Sequence, residues 1–335
     1  MSWLVPVASA HEVYVLQPGR IASDVAVSSP NPFTAITGHA GEFMEWFGIV
    51  VVVLALLAFL SANTPLQKLF AKPILYIKKF APLVARLTLG GSLIFSGYFQ
   101  DIFGPELTLS AEYHHLAIPM SWLFIVLGVC IVIGFFTRVA AIISLLLFAG
   151  AVLTYHTYML TYVNYLGEML IILILGGGMW SLDHHWSKLQ FLQKFFKPMH
   201  IVFEKYGFFI LRVLFGISLI YASMYAKFLH SDLALDTVND YHLTQFFHFT
   251  PLFLVLGAFL VESMIGIAFI LGIFVRFFAV FFLVFLTMSI IYFGESVWPH
   301  LILFGVNIAI FLHGYDQYTL GAKLFKKKKN LEPVV

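Results

Sequence analysis

Apolar residues fall into nine windows along the chain, and short polar stretches separate one window from the next. Each window is close to the length of about 20 residues that an α-helix needs to cross the apolar core of a bilayer. The windows are 46–62, 84–103, 119–136, 138–155, 164–181, 208–228, 250–271, 276–293 and 298–314. The pattern predicts an all-α polytopic membrane protein with nine transmembrane helices.

Basic residues gather at one end of these predicted helices. They are Lys68, Lys72, Lys78, Lys79 and Arg86 before the second window, Lys188, Lys194, Lys197, Lys205 and Arg212 before the sixth, with Arg138, Arg276 and the lysines of 323–329. Only Arg20 and Lys227 fall at the opposite end. The positive-inside rule therefore predicts a multi-pass protein of the cell inner (plasma) membrane, with its N-terminus outside and its C-terminus in the cytoplasm.

The segment 86–103, RLTLGGSLIFSGYFQDIF, is echoed by 212–228, RVLFGISLIYASMYAKF. The turn sequence GFFTR at 134–138 is likewise echoed by GIFVR at 272–276. Internal similarity of this kind predicts a tandem duplication of two parallel four-helix bundles, with one additional N-terminal helix. The predicted organisation is an irregular outer N-terminal segment 1–45, an extra helix 46–62, repeats 84–185 and 208–320, a basic cytoplasmic linker 186–207 and a basic tail 321–335.

Three short motifs carry a family resemblance: Arg-x3-Gly-x-Ser at the start of a helix, a Gly and an Arg at an inner turn, and Gly-Gly-Gly-x2-Ser-Leu-Asp after a fourth helix. In these motifs the chain resembles the DoxX/DoxD family of four-helix membrane proteins, over both repeats. That family includes the membrane subunit of a thiosulfate:quinone oxidoreductase. The resemblance implies an integral membrane subunit of a quinone-linked redox complex, and it implies no defined set of catalytic residues.

Composition narrows the chemistry that the chain can perform. With 61% hydrophobic and 11% charged residues, it has too little polar surface to form a water-soluble globule. Cys130 is the only cysteine, which excludes a disulfide framework, a CxxC redox pair and a thiolate zinc site within the chain. Any redox chemistry would need a bound cofactor.

Glu262 is a carboxylate near the middle of a predicted span, where a charge is costly unless it is paired or neutralised. Its counterpart in the first repeat is Phe124, and its possible partners on the neighbouring helix are Arg212 and Lys227. We name Glu262 and Lys227 as candidate catalytic residues, as a proton carrier or quinone-site acid and its partner. The alternative is a purely structural ion pair.

Candidate contacts for a quinone are Tyr221, Tyr98, Glu168 and His156. Aromatic residues on lipid-facing helices need no ligand, so the alternative for the tyrosines is simple exposure to lipid. A bis-histidine haem needs histidines in the middle of helices, and none stands there.

A polar set lies at the predicted outer end: Asp101, Glu106, Glu112, His114, His115, His156, Glu168, His230, Asp232, Asp236, Asp240, His242, His248, Glu295 and His300. Within it, His114 and His115 are candidate ligands for zinc or copper, although no HxxxH spacing supports a metal. The alternative is a solvated loop surface. Because this face is rich in acids, it should repel an anion such as thiosulfate. A partner protein subunit that carries the substrate site, or a neutral or cationic substrate, fits this face better.

At the basic end of the predicted helices, arginine and aspartate side chains on different helices could form ion pairs. We expect structural ion pairs Arg86–Asp183 and Arg212–Asp316, or pairs that use Arg138 and Arg276 instead. The lysine run 326–329 is a topology determinant that rests on anionic lipid headgroups, and binding to nucleic acid is not expected.

Two further alternatives stay open. Residues 8–10, Ala-Ser-Ala, are typical of a signal-peptidase site before His11, so 1–10 is either a truncated signal or part of an outer tail. Instead of a redox role, the chain could be a non-enzymatic membrane scaffold or a small-solute transporter built from parallel repeats.

Overall fold

The computed structural model describes residues 16, 18–178, 180–185, 190–325 and 332–335. The predicted signal-type segment 1–10 and the lysine run 326–329 lie outside these residues. The described part of the chain is all helical apart from turns and one isolated bridge between Asp101 and Thr108. The α-helices are α1 (Pro18–Ala26), α2 (Ala40–Ala62), α3 (Thr64–Lys78), α4 (Ala81–Phe99), α5 (Leu109–Tyr113), α6 (Ala117–Ile133), α7 (Thr137–Tyr155), α8 (Val163–Leu175), α9 (Leu182–His185), α10 (Gln190–Met224), α11 (Ser231–Asp240), α12 (Pro251–Leu271), α13 (Val275–Phe293), α14 (Leu301–His313) and α15 (Leu320–Phe325).

Six helical segments in the described residues are long and apolar enough to cross a membrane. They are Ala40–Ala62, His114–Ile133, Thr137–Leu160, Glu204–Leu229, Pro251–Leu271 and Val275–Phe293. A seventh span results if α3 and α4, which meet at a bend of 43°, are counted as one crossing. The chain is thus a multi-pass helical membrane protein. In the described residues, six or seven helices are long and apolar enough to span, and the predicted number of nine is not confirmed.

Two of the nine predicted spans correspond to apolar helices that are too short to cross the apolar layer of a membrane by themselves. The windows 164–181 and 298–314 correspond to α8 and to the apolar segment Trp298–His313. α8 nevertheless extends from one end of the bundle to the other. Tyr165 in its first turn donates to the carbonyl of Phe103, and the carbonyls of Leu173 and Ile174 in its last turn accept from Arg138. Hydropathy correctly located α8 and α14, but each helix ends earlier than its predicted window, α8 at a turn that begins with Gly176 and α14 at one that begins with Gly314.

Glycines set the closest helix approaches. A Cβ on Gly90 of α4 would lie 2.7 Å from the carbonyl oxygen of Gly128 on α6, and a Cβ on Gly216 of α10 would lie 2.5 Å from that of Gly266 on α12. Only a residue without a side chain allows two helix backbones to pack this closely. The same contact therefore joins the first two long helices of each half of the chain.

The turn before α7 and the turn before α13 also share their backbone conformation. Gly134 and Phe136 have φ angles of 72° and 48°, and Gly272 and Phe274 have φ angles of 68° and 48°. These left-handed residues end one helix and reverse the chain into the next. An arginine from the neighbouring helix lies over each turn, Arg86 in the first half and Arg212 in the second.

The arginines contact carbonyl groups instead of the predicted carboxylates. Arg86 donates to the carbonyls of Gly177 and Trp180, the second at 3.0 Å. Arg212 donates to the carbonyls of Phe269 and Ile270, at the C-terminal end of α12. Since the last carbonyls of a helix have no partner within it, a buried guanidinium satisfies them without a carboxylate.

Asp183 has a different role from the predicted pairing with Arg86. Its carboxylate accepts from the amides of Phe136 and Thr137, at 2.8 and 2.9 Å, and from the Thr137 hydroxyl at 2.6 Å. This arrangement caps the N-terminus of α7, where a negative charge is favourable. The Asp183 carboxylate thus has hydrogen-bond partners in Phe136 and Thr137, and Asp183 attracts Arg86 electrostatically.

In the second half, Asp316 accepts from the amide of Tyr318 at 2.7 Å and so closes its own turn. The carboxylate partner of Arg276 is Glu332, at 3.0 Å, and Lys78 contacts the same carboxylate at 2.7 Å. The end of the predicted tail thus packs back on the bundle.

Two segments that were predicted to be irregular or linkers are helical. Residues 18–26 form α1, and Pro32–Thr37 form a 3₁₀-helix that packs near α12, with Ser29 donating to Asp232 of α11 at 2.9 Å. The expected linker 186–207 is, from residue 190 onward, the first part of the 35-residue helix α10.

Candidate functional site

A cavity of about 100 Å³ lies between the two halves, near the end opposite the basic turns. It is bounded by the start of α8, the end of α10, the middle of α12, α13 and the start of α14. Its lining residues are Tyr158, Thr161, Tyr162, Asn164, Ser218, Leu219, Ala222, Lys227, Glu262, Phe282, Phe285, Leu286, Ser289, Pro299, His300, Ile302 and Leu303.

An ion pair forms part of the cavity wall. Lys227 Nζ lies 3.1 Å from Glu262 Oε2, and Lys227 as a whole is only 6% exposed. Glu262 is the twelfth of the 21 residues of α12, so its carboxylate stands at mid-helix. The structure thus pairs Glu262 with Lys227, one of the two partners that the sequence offered, whereas Arg212, in the middle of α10, contacts carbonyls at the C-terminal end of α12.

The backbone around Lys227 is unusual. α10 ends in a π-helical turn, Tyr225–Leu229, that contains the lysine. A π turn adds a residue to the helix and re-aims the side chains it contains, and such turns are frequent at functional sites. Here the turn places a lysine inside the protein near the end of a long apolar helix.

None of the four predicted cofactor contacts lines this cavity. Tyr98 is 71% exposed on the outer surface of α4, and Tyr221 packs 6.4 Å from the ring of Tyr225. His156 is exposed in the turn after α7. Glu168 is completely buried between α4 and α8, where the Thr88 hydroxyl donates to its Oε1 at 3.2 Å. Three of these residues lie in the first half and Tyr221 lies on α10 of the second half, so the four do not form one site.

The candidate metal ligands His114 and His115 are exposed in a short 3₁₀ turn after α5. Among the residues that the structure describes, no group of three or more His, Cys, Asp or Glu side chains is arranged to hold a metal ion. The two histidines thus lie on a loop surface.

Sequence reasoning missed two buried polar clusters beside the cavity. In the first, Glu106 accepts from the hydroxyls of Tyr158, at 2.6 Å, and Tyr162. In the second, His300 Nε2 lies 3.1 Å from Glu295 Oε2, and both side chains are inaccessible to solvent. All three titratable residues belonged to the polar set at the outer end, but nothing in their spacing indicated which partners they would meet.

The loop that carries Glu106 folds inward after α4. The amide of Ile102 donates to the carbonyl of Leu107 at 2.7 Å, and the Asp101 side chain is buried beside Glu106. Burial, and after it the nearby Glu106 charge, raises the pKa of Asp101 to about 7. Burial also raises the pKa of Glu106, against the opposing effect of the two tyrosine hydroxyls. The loop is therefore most stable with its carboxyl groups protonated.

This arrangement predicts that stability falls as the pH rises. Between the ordinary pKa of an aspartate, about 3.9, and about 7, the folded chain binds more protons at Asp101 than the unfolded chain, so the slope of unfolding free energy with pH is negative. Asp101→Asn should flatten this dependence and raise the melting temperature at pH 8 by about 2–4 °C per kcal/mol gained. Melting curves of detergent-solubilised protein from pH 4 to pH 8 would measure it, with Asp240→Asn, an exposed aspartate on α11, as the control. Equal curves for wild type and Asp101→Asn would contradict the prediction.

Comparison with known proteins gives one result. The DoxX family matches residues 207–295, which cover α10 from Gly207 onward, α11, α12 and α13. Comparison with curated proteins and with solved structures gives no match. The matched region includes both Lys227 and Glu262. Residues 207–295 therefore form a DoxX family domain, and the chain that carries it is an integral membrane protein.

Proposed function

We propose that the protein is the membrane subunit of a quinone-linked redox complex, and that the cavity between its halves receives the quinone headgroup. The observation that carries the proposal is the Lys227–Glu262 pair in the wall of that cavity. Ionisable groups inside a membrane protein are costly, and they commonly mark substrate, ion or proton paths.

The donor set of the cavity suits a quinone. The Lys227 ammonium offers N–H groups for a carbonyl oxygen, and Phe282, Phe285 and Leu286 supply an apolar wall for a ring. A bound quinone supplies two-electron, two-proton redox chemistry. The chain supplies Glu262, which can hold a proton at Oε2, and Lys227, which stabilises the carboxylate after that proton leaves.

The resting cavity is narrow for such a ligand. Its volume of about 100 Å³ is below the roughly 150 Å³ of an engineered cavity that holds benzene. A quinone ring therefore enters only when apolar side chains of the wall rotate outward, and Phe285 stands partly exposed at the outer surface of α13.

The narrow cavity favours a second candidate function, transport of protons or a small solute. In that case the buried pair would be a carrier site between the two halves. The paired clusters Glu106 with Tyr158 and Tyr162, and Glu295 with His300, border the same cavity and would extend the path toward the outer loops.

Three wider proposals accompany this function. We propose that the two halves arose by tandem duplication, supported by the matching glycine contacts and turns. The distribution of Lys and Arg supports an orientation in the inner membrane with the basic end in the cytoplasm. The acid-rich outer loops support a partner protein subunit on that face, and no role in nucleic-acid binding is proposed.

Solvent extraction of the purified protein tests the redox proposal. The wild type should release stoichiometric quinone, and Glu262→Gln should release several-fold less because the proton-exchanging pair is lost. Glu45→Gln, the same change at an exposed acid of α2, is the matched control. Folded wild-type protein without quinone would overturn the proposal. In that event, loss of proton flux by Glu262→Gln in liposomes, with normal flux in the control, would support transport.

A further inference from the structure

A second cavity, of about 620 Å³, opens at the basic end of the first half. It lies between the start of α7, the turn after α8 and the early part of α10. Its lining residues are Phe136, Thr137, Arg138, Val139, Leu175, Gly177, Gly178, Ser181, Asp183, His184, Lys194, Phe196, Lys197 and His200. Its volume is within the range of about 300–1,000 Å³ that is typical of ligand pockets.

Arg138 is held rigidly in this cavity. Its Nε and Nη2 donate to the carbonyls of Leu173 and Ile174, both at 3.0 Å, and its guanidinium lies 5.5 Å from the centre of the Phe196 ring. Its Nη1 makes no hydrogen bond within the described part of the chain. A fixed guanidinium with a remaining donor is well suited to an oxyanion.

The charge of the cavity is positive. Lys194 and Lys197 join Arg138, so three cations face one carboxylate, Asp183. That carboxylate is already engaged by the backbone at the start of α7. Glu204 lies 3.6 Å from His200 at the margin and is largely exposed. An anion that enters meets a net positive potential.

Arg276 in the second half of the chain corresponds to Arg138, and it binds a carboxylate. Arg276, in the first turn of α13 as Arg138 is in the first turn of α7, donates to Glu332 Oε2 at 3.0 Å and to the carbonyl of Pro333 at 2.7 Å. Lys78 Nζ donates to Glu332 Oε1 at 2.7 Å. There the chain supplies the anion from its own C-terminal segment. In the first half, the corresponding position is an open basic cavity.

The surroundings of the first cavity indicate where its anion comes from. Trp180, Phe195 and Ile201 are exposed apolar side chains on the segments that form its rim. At the end of a membrane-spanning bundle, such side chains face acyl chains while the basic groups face the headgroup layer. A free anion or a soluble acidic peptide would make no use of this apolar rim.

We propose that the Arg138 cavity binds the phosphate group of an anionic phospholipid from the leaflet at the basic end of the bundle. Arg138 and the two lysines contact the phosphate, and the apolar rim contacts the acyl chains. The bound lipid fills, in the first half, the place that Glu332 fills in the second. The site is separate from the Lys227–Glu262 cavity and does not depend on the redox proposal.

The test compares thermal stability of the full-length protein in mild detergent after addition of phosphatidylglycerol, phosphatidylcholine or inorganic phosphate. We expect phosphatidylglycerol alone to raise the melting temperature, and native mass spectrometry to show it retained on the protein. The double variant Lys194→Ala/Lys197→Ala should lose at least half of that rise. Both lysines are exposed, so the variant should fold, and Lys68→Ala/Lys72→Ala on α3 removes two exposed charges as a matched control.

Several results would overturn the proposal. They are an equal rise with phosphatidylcholine, an equal rise with inorganic phosphate alone, an equal loss in both double variants, or no rise with any lipid. Displacement of phosphatidylglycerol by a peptide with the sequence of residues 330–335 at equimolar concentration would assign the cavity to a carboxylate peptide instead.

Discussion

Lys227→Ala should destabilise the folded protein by about 3–5 kcal/mol, the usual cost of removing one partner from a buried ion pair. The substitution leaves Glu262 at mid-helix without the cation that the structure places 3.1 Å away. Water cannot compensate, because the carboxylate is largely buried within a membrane-spanning bundle. The measurement is the midpoint of thermal or denaturant unfolding in detergent, and Lys72→Ala at an exposed site of α3 serves as the control.

A double variant separates the pair's structural role from its functional one. Lys227→Met/Glu262→Leu removes both charges and keeps the volume of the side chains, so it should recover most of the stability lost by Lys227→Ala. It should not recover quinone binding or proton flux. If Lys227→Ala unfolds at the same midpoint as the wild type, the pair contributes nothing to the fold and the interpretation of the cavity wall fails.

Gly266→Val should be the second severe substitution. A Cβ at this position would lie 2.6 Å from Ile220 Cγ1 and 2.7 Å from the carbonyl oxygen of Gly216. The side chain of Ile220 can rotate, but the backbone of α10 cannot yield without separating the two helices. We expect a loss of at least about 1–3 kcal/mol, which is the range for overpacking a core.

The matched control lies on the same helix. A Cβ on Gly257 of α12 would meet nothing within 4 Å, so Gly257→Val should unfold within a few degrees of the wild type. Size-exclusion chromatography of the folded fraction and melting curves would compare the two variants. Equal behaviour of Gly257→Val and Gly266→Val would show that helix propensity, and not the close approach of the helices, sets the effect.

Local sequence properties predicted the helical class and the position of most membrane helices. Hydropathy along the chain depends only on composition over one helical length, and it located most of the apolar helices, although it missed α3 and the first 18 residues of α10. The repeated Arg, Gly and Ser positions similarly predicted which turns would be alike, because a left-handed backbone position strongly favours glycine and the glycine can be read from the sequence. Glu262 was identified because an acid in the middle of an apolar helix is conspicuous by itself.

Partners at a distance were harder to predict. The sequence paired Arg86 with Asp183 by charge, but the turn after α8 offers carbonyl oxygens that satisfy the guanidinium, and no sequence pattern reveals a free carbonyl. Glu106 and Glu295 likewise have partners that only the inward fold of their loops brings near. The quinone contacts were chosen by residue type, and Tyr98 was placed on the lipid side by a helix rotation that the nearly uniform hydropathy of α4 could not fix.

The short helix α8 has a consequence for how the protein enters the membrane. Its 13 residues extend only about 20 Å, whereas the apolar layer is about 30 Å thick. It also carries Asn164 and Glu168, both buried against other helices. Transfer of α8 alone into lipid would therefore be unfavourable, because the helix is short and its polar side chains would have no partners there. We therefore expect α8 to integrate only when α4 and α10 are in place to enclose it, so that a chain truncated before α10 should leave α8 outside the bilayer in an insertion assay.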